Sequence, residues 1–166
     1  MVSPYKGIIT IRTLLIMKEI LNFYQITSLV ATSGQPTKDQ FHLIAKLDYD
    51  VVVNLGMHDS DNVLVDEGNI VTSLGMSYVH IPVPFESPLP THLHDFFNAM
   101  TAFDGKKIFV HCVVNARVSA FMYQYLTLKK GLDTDTATSP LLEKWLPSMD
   151  ENWKAIIGLS IEEIEL

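Results

Sequence analysis

The segment that decides the fold of this chain is Ile108-Phe109-Val110-His111-Cys112-Val113-Val114-Asn115-Ala116-Arg117-Val118-Ser119. It opens with a short β-branched and aromatic run, which is typical of a strand buried on both faces. After a few loop residues the sequence becomes helix-forming and apolar, and it stays so until Gly131. The pattern predicts a central strand over residues 107–111 and a helix over residues 118–130. A strand that leads through a tight loop into a helix is the repeating unit of an α/β fold.

Cys112, the only cysteine of the chain, lies at this junction. Backbone N–H groups at the start of a helix attract anions, and their dipole together with a nearby cation favours the thiolate form of a cysteine. Arg117 supplies that cation and a planar guanidinium that matches two oxygens of an oxyanion. A lone cysteine after an apolar strand is more often a small buried residue. With His111 before it and Arg117 and Ser119 after it, we expect a partly exposed nucleophilic thiol.

Composition and charge limit the classes of protein that fit. The chain has 166 residues, 48% of them hydrophobic and 19% charged, which predicts a folded protein with a substantial core. The net charge of -7 argues against a nucleic-acid partner, and it means that any affinity for an anion must come from a local site. A single cysteine forms no internal disulfide, so we expect a cytoplasmic protein.

The first 21 residues are predicted to be an N-terminal extension outside the core, and residues 22–166 the domain itself. The apolar run over residues 7–17 is interrupted by Arg12 and is too short to cross a membrane, so no membrane partner is expected.

Alternating apolar runs and helical patterns organise the rest of the chain. Strands are predicted over residues 22–26, 29–32, 50–55, 77–81 and 107–111. Helices are predicted from the caps Thr37 and Thr91, over residues 63–74 and 118–130, and over residues 135–145 and 150–164. The order predicts an α/β fold with a mostly parallel sheet of four to five strands and helices on both faces. Ligands of such folds bind beyond the carboxyl ends of the strands, where the loops 54–61, 82–90 and 111–119 should converge.

Four stretches of sequence carry a resemblance to a known family. They are Thr32-Ser33-Gly34-Gln35-Pro36-Thr37, Val53-Asn54-Leu55, the segment from Gly75 to Pro84, and Val110-His111-Cys112 through Arg117. Over about residues 22–160 the chain resembles bacterial tyrosine-phosphatase-like proteins, also known as beta-lactamase-hydrolase-like proteins. They belong to the dual-specificity-like branch of the protein tyrosine phosphatase superfamily.

The resemblance implies a tyrosine-phosphatase-like fold and a phosphatase that needs no cofactor. Cys112 would attack phosphorus and form a phosphocysteine, Arg117 would clamp two phosphate oxygens, and His111 would orient the loop and tune the thiol. Ser119 would donate a hydrogen bond to the departing thiolate. The oxygens of the phosphate would be held by the backbone amides of Val113, Val114, Asn115, Ala116, Arg117 and Val118.

The spacing of the motif departs from the family. Tyrosine phosphatases have five residues between the cysteine and the arginine, and this chain has four, so that an ungapped alignment puts Val118 at the arginine position. One residue at a helix start rotates a side chain by about 100°. Four residues also match the loop of rhodanese sulfurtransferases, which form a persulfide. Asn115 stands where a glycine is common, and asparagine tolerates the left-handed conformation that the turn requires.

A general acid is predicted from the loop after the Ile-Pro-Val-Pro strand end. The family has an aspartate there, while this chain has Glu86, with Asp59 and Asp61 on the neighbouring loop as alternatives.

Three hypotheses follow from these residues. The first is a cysteine-dependent phosphatase, and its partner is a phosphorylated substrate or a small anion such as phosphate. The second is a protein that binds phosphate without turnover. The third is a sulfurtransferase that works through a Cys112 persulfide. No metal site is predicted, because His92 and His94 would point apart on a helix.

Overall fold

The structure is a computed structural model and describes residues 11–165. Within these residues five strands form one sheet in the order β1-β2-β5-β3-β4. The neighbours β2 and β5, β5 and β3, and β3 and β4 are parallel, and only β1 is antiparallel to its neighbour β2. The strands are β1 (Tyr24–Gln25), β2 (Val30–Ser33), β3 (Val51–Asn54), β4 (Ser77–His80) and β5 (Ile108–His111). The predicted α/β fold with a mostly parallel sheet is confirmed.

Helices cover both faces of the sheet, as predicted, and their bounds follow from local sequence signals. They are α1 (Ile11–Met17), α2 (Lys38–Lys46), α3 (Glu67–Ser73), α4 (Pro90–Ala102), α5 (Ala116–Leu128), α6 (Thr134–Ala137), α7 (Pro140–Trp145), α8 (Glu151–Ile157) and α9 (Ile161–Ile164), with a 3-10 turn over Leu146–Ser148. Thr37 caps α2 as predicted: its hydroxyl accepts from the Gln40 amide, and the Gln40 side chain accepts in return.

Two hydrophobic clusters lie on the two faces of the sheet. On one face Val53 and Val110 pack with α4, α5 and α8, whose buried side chains include Phe121 and Trp153. On the other face Val52, Phe109 and their neighbours pack with α1, α2 and α3. All four residues of β3 and of β5 are buried, which explains why these strands read as continuous apolar runs.

The register of the parallel strands brings their carboxyl ends to one edge. Asn54 lies opposite both His111 and His80, and Ser33 lies opposite His111 on the other side. The loops that follow these residues therefore begin side by side, as the sequence predicted.

Several predicted boundaries are wrong for identifiable reasons. Helix α3 begins at Glu67 and not at residue 63, because Asp66 adopts a left-handed conformation with φ 61°. Helix α4 starts at Pro90 with Leu89 as its cap, and not with Thr91, since proline fits the first helical position. The two C-terminal helices are each divided: α7 begins at Pro140, and a break precedes the new cap Ser160.

The expectation that residues 1–21 lie outside the core is wrong for part of this segment. Residues 1–10 lie outside the described residues. Met17 and Ile20 are each only 1% exposed, and they pack in the cluster beneath α2, so the core includes residues before 22. The domain boundary at residue 22 stays a prediction. From residue 11 to residue 165, no helix has the length and apolarity that a membrane span requires.

Candidate active site

The loop that follows β5 carries Cys112 and leads directly into α5. We call residues 112–118 the Cys loop. Asn115 stands at the N-cap position of α5 with φ 70°, which is the left-handed conformation predicted for it. Because Asn115 turns the chain this way, the helix begins at Ala116, two residues earlier than predicted.

The backbone of the Cys loop offers an unusual number of free donors. Within residues 11–165, the N–H groups of residues 113–118 have no hydrogen-bond acceptor. A left-handed residue followed by right-handed ones turns successive N–H groups to the same side, which is the geometry of an anion-binding nest. The helix start adds its partial positive charge.

Neighbouring segments hold the Cys loop from outside through its carbonyl groups. The Val113 carbonyl accepts from the Gln35 backbone amide at 3.0 Å and from Asn62 Nδ2 at 3.2 Å. Gly34 passes so close that an added Cβ would lie 2.8 Å from the Val113 oxygen. The Ser-Gly-Gln-Pro turn of the sequence motif therefore lies directly against the loop. Asn62 is exposed and belongs to the loop after β3, so this loop also contacts the Val113 carbonyl.

Asn115 and Ser119 bind other parts of the protein. Asn115 Nδ2 donates to the Asn22 carbonyl at 2.8 Å and to Thr32 Oγ1 at 3.1 Å. Ser119 Oγ donates to the Asn115 carbonyl at 2.6 Å. The single proton of the Ser119 hydroxyl is thus directed to the loop backbone, and the predicted donation to Cys112 requires that this bond first be broken.

Cys112 is buried, with only 1% of its surface exposed, and its side chain belongs to the larger hydrophobic cluster. The expectation of a partly exposed thiol is therefore wrong. Residues on both sides of the turn are more accessible: Val113 and Ala116 are half-buried, and Val114 is 45% exposed.

The short spacing between Cys112 and Arg117 places the Arg117 side chain in a buried position next to Phe85. Arg117 is only 8% exposed, and within residues 11–165 its buried Nε and Nη1 atoms have no hydrogen-bond partner. The guanidinium carbon lies 5.7 Å from the ring centroid of Phe85, within the range of a cation–π contact. Val118, at the position of the family's arginine, packs into the core instead. The helix start thus turns Val118 inward and leaves two nitrogens of Arg117 without an acceptor in the described part of the chain.

His111 is fully buried behind the Cys loop and contacts a carboxylate that the sequence analysis did not single out. Its Nε2 lies 2.6 Å from Glu67 Oε1, and its Nδ1 lies 3.3 Å from the Cys112 carbonyl oxygen. The His111 ring thus lies between Glu67 and the Cys112 backbone.

Glu67 is the centre of a buried polar network. Its Oε2 accepts from Gln35 Nε2 at 2.6 Å, and its Oε1 accepts from the Tyr78 hydroxyl at 3.1 Å as well as from His111. Asn54 Nδ2 donates in turn to the Tyr78 hydroxyl at 3.0 Å.

Protonation states in this network follow from burial and from these bonds. Burial alone would raise the pKa of the Glu67 carboxyl, but hydrogen bonds from its three neighbours and the charge of His111 outweigh it, so this pKa lies below its ordinary value. Burial, together with the adjacent Glu67 carboxylate, raises the pKa of the Tyr78 hydroxyl. The network is therefore an anionic carboxylate surrounded by donors.

The predicted general acids lie on loops at the edge of the site. Glu86 is exposed, and its backbone carbonyl accepts from Asn152 Nδ2 at 2.9 Å, while Trp153 Nε1 donates to the carbonyl of the preceding Phe85 at 2.8 Å. The proline-rich loop is thus fixed to α8. Asp59 and Asp61 are also exposed, on the loop whose Asn62 contacts the Cys loop. Among the described residues, no group of three His, Cys, Asp or Glu side chains has the arrangement of metal ligands.

The chain shares 34% identity with a "putative phosphatase (DUF442)" from Shewanella putrefaciens CN-32, with a TM-score of 0.78 over 89% of this chain and 94% of that one. The chain belongs to this DUF442 family of tyrosine-phosphatase-like proteins. No protein-family model matches the chain, and no curated protein matches it.

More distant structures share the fold of this family. TpbA of P. aeruginosa, solved in complex with phosphotyrosine, has 16% identity and a TM-score of 0.64 over 87% of this chain and 88% of that one. The core catalytic domain of the PP-IP phosphatase SIW14 from S. cerevisiae, solved with citrate, has 11% identity and a TM-score of 0.68 over 87% and 88% of the two chains. The recognition of a bacterial tyrosine-phosphatase-like family from the sequence is confirmed.

The sequence pattern of this DUF442 protein does not reveal the buried network around Glu67. The sequence pattern predicts Glu67 inside a helix over residues 63–74. The hydrogen-bond partners of its carboxylate lie 11, 32 and 44 positions away in the sequence. The only local signal was an acidic residue in the first turn of a helix, which the helix dipole explains equally well. Gln35 belongs to the Ser-Gly-Gln-Pro stretch of the resemblance, and it contacts both Glu67 and Val113.

Proposed function

We propose that the protein is a cysteine-dependent phosphatase that hydrolyses a phosphate monoester. The observation that supports this most is the row of backbone N–H groups at residues 113–118, which have no acceptor in the described chain and follow directly on a cysteine. A dianionic phosphate would satisfy them and would also pair with Nε and Nη1 of Arg117, which are buried and unpartnered. Such a local site is needed, because the net charge of -7 repels anions at long range.

The chemical step would use Cys112 as the nucleophile. Its thiolate Sγ forms a bond to phosphorus while the bond from phosphorus to the leaving oxygen breaks, and the leaving oxygen takes a proton from a general acid. Water then attacks the phosphocysteine, its proton passes to the same carboxylate, and phosphate and the thiolate are released. The amides of the Cys loop and Arg117 would stabilise the charge on the equatorial oxygens in both steps.

Glu86 is the proposed general acid, with Asp59 as the alternative. The backbone on either side of Glu86 is fixed by bonds from α8, while its side chain is exposed and free to turn. Fixed backbone and a free carboxyl are what a group that reaches over a bound substrate requires.

The nucleophile is tested by Cys112→Ser with nitrophenyl phosphate as substrate and inorganic phosphate as ligand. We expect turnover to fall to background, while the affinity for phosphate stays within about threefold, because the amides bind and the thiolate attacks. Turnover by the Cys112→Ser variant would overturn the proposal.

The proposed general acids are tested with alkyl phosphates as substrates. Glu86→Gln should lower the rate of hydrolysis of alkyl phosphates about 10²–10⁴-fold and should leave the rate of hydrolysis of nitrophenyl phosphate nearly unchanged. Asp59→Asn is the matched comparison.

Binding without turnover is a second candidate, and two observations favour it. The Ser119 hydroxyl is bound to the Asn115 carbonyl, and the proline-rich loop carries Glu86 where the family has an aspartate. This candidate predicts phosphate affinity with background turnover in the wild type. The sulfurtransferase alternative rests on the four-residue spacing alone, and release of thiocyanate from thiosulfate and cyanide tests it.

A further inference from the structure

Glu67 is a buried carboxylate whose position is difficult to explain by stability alone. It is only 5% exposed, and desolvating a carboxylate costs several kcal/mol unless donors compensate it. Three side chains from three separate elements supply these donors: Gln35 before α2, Tyr78 in β4 and His111 in β5. An apolar residue would fill the same space at lower cost, so the network has to be explained by what it holds in place.

What the network holds is the cysteine end of the Cys loop. His111 uses both ring nitrogens, one toward Glu67 and one toward the Cys112 carbonyl. The carboxylate and the carbonyl oxygen both only accept hydrogen bonds, so each ring nitrogen of His111 faces an acceptor. Glu67 therefore fixes the ring orientation of the residue that immediately precedes the nucleophile.

We propose that Glu67 is a positioning residue of the reaction, and that it acts through His111 to fix the backbone from which Cys112 attacks. This inference rests on the proposed phosphatase function. Most remaining contacts of the loop do not involve Glu67: Asn115 is bound to Asn22 and Thr32, and Val113 to Asn62. Gln35 contacts both Glu67 and Val113, but it binds Val113 through its backbone amide and not through the side chain that donates to Glu67. The nest and Arg117 should therefore keep their places when Glu67 is changed.

Because these two sets of contacts are separate, a change at Glu67 should lower the rate of catalysis without weakening the binding of phosphate. Glu67→Gln keeps the shape of the side chain and removes its charge. We expect kcat for nitrophenyl phosphate to fall about 10- to 100-fold, as small misplacements of a reacting group do, while the dissociation constant of inorganic phosphate changes less than about threefold. The matched control is Glu143→Gln in α7, an exposed residue, and it should leave both quantities unchanged.

A double-mutant cycle tests whether Glu67 acts through His111. In a His111→Asn background, Glu67→Gln should lower kcat no further than about twofold. If the two effects instead multiply, or if Glu67→Gln weakens phosphate binding as much as it lowers kcat, the proposal is overturned.

Two further measurements keep the proposal testable whatever the main variant does. If Glu67→Gln does not fold, Tyr78→Phe removes one donor from the carboxylate and should give a smaller fall in kcat, again without a change in phosphate affinity and again absent in the His111→Asn background. If the wild type shows no turnover, the proposed function fails on its own. The backbone amide resonances of residues 112–114 then decide: they should shift in Glu67→Gln and not in Glu143→Gln, and unshifted resonances would refute the link.

Discussion

At the scale of single residues, Arg117 shows how the structure accommodates a spacing between cysteine and arginine that is one residue shorter than in the family. A buried guanidinium with unpartnered nitrogens is unfavourable in a protein without ligand, and Phe85 compensates it only in part through its ring face. Under the proposed function this residue would pair with an anion, although the motif is one residue shorter than in tyrosine phosphatases.

Replacing this guanidinium should separate stability from binding. Arg117→Met removes the buried charge and keeps most of the volume, so we expect the variant to unfold at a higher urea concentration than the wild type when phosphate is absent. Phosphate affinity should fall by about 1.5–3 kcal/mol, because charged hydrogen bonds are lost. Urea titrations with and without phosphate measure both effects. Equal phosphate affinity in the two proteins would show that Arg117 does not face the anion.

Local pattern was sufficient to predict the strand, the loop that carries Cys112 and Arg117, and the helix behind it, because these segments follow one another in the chain. It could not predict Glu67, whose neighbours are assembled only by the sheet. The partly exposed thiol was also wrong, since burial of Cys112 depends on how α4 and α5 pack against β5.

At the scale of elements, the junction between β5 and α5 depends on the conformation of one residue. Asn115 has φ 70°, and its side chain joins this junction to the segment before β1 and to β2. The sequence predicted this conformation, but the two side-chain bonds required the tertiary fold.

Two substitutions at Asn115 distinguish backbone strain from side-chain bonding. Asn115→Gly and Asn115→Ala both lose the bonds to Asn22 and Thr32, but only alanine meets the steric cost of the left-handed conformation. We expect both variants to be destabilised, and Asn115→Ala to be less stable than Asn115→Gly by about 1 kcal/mol. Chemical denaturation measures the difference, and equal stabilities would exclude strain at this position.

At the scale of the whole molecule, the apolar runs of β3 and β5 predicted the α/β fold because burial on both faces leaves a clear pattern. The burial of Met17 and Ile20 was not predicted, because no such continuous pattern surrounds them. Only their packing beneath α2 shows that they belong to the core.

The stability of the whole domain should depend on pH through Glu67. The pKa of this carboxyl is lower in the folded protein than its ordinary value of 4.5, so its ionised form stabilises the fold at neutral pH. That contribution is complete above the ordinary value and is lost as the pH falls through the lower folded one. The difference in unfolding free energy between the wild type and Glu67→Gln should therefore shrink below pH about 4.5. A difference that stays constant between pH 7 and pH 3 would contradict the lowered pKa.

The hydrogen bond between the Asn115 side chain and the Asn22 carbonyl has a consequence for the order of folding. The two residues are separated by 93 positions, so this hydrogen bond requires the closure of a long loop of chain. We expect that an anion which requires the finished loop binds only after the rate-limiting step of folding. Such a ligand lengthens the lifetime of the native protein by slowing its unfolding, and it gives the newly made chain no help in folding.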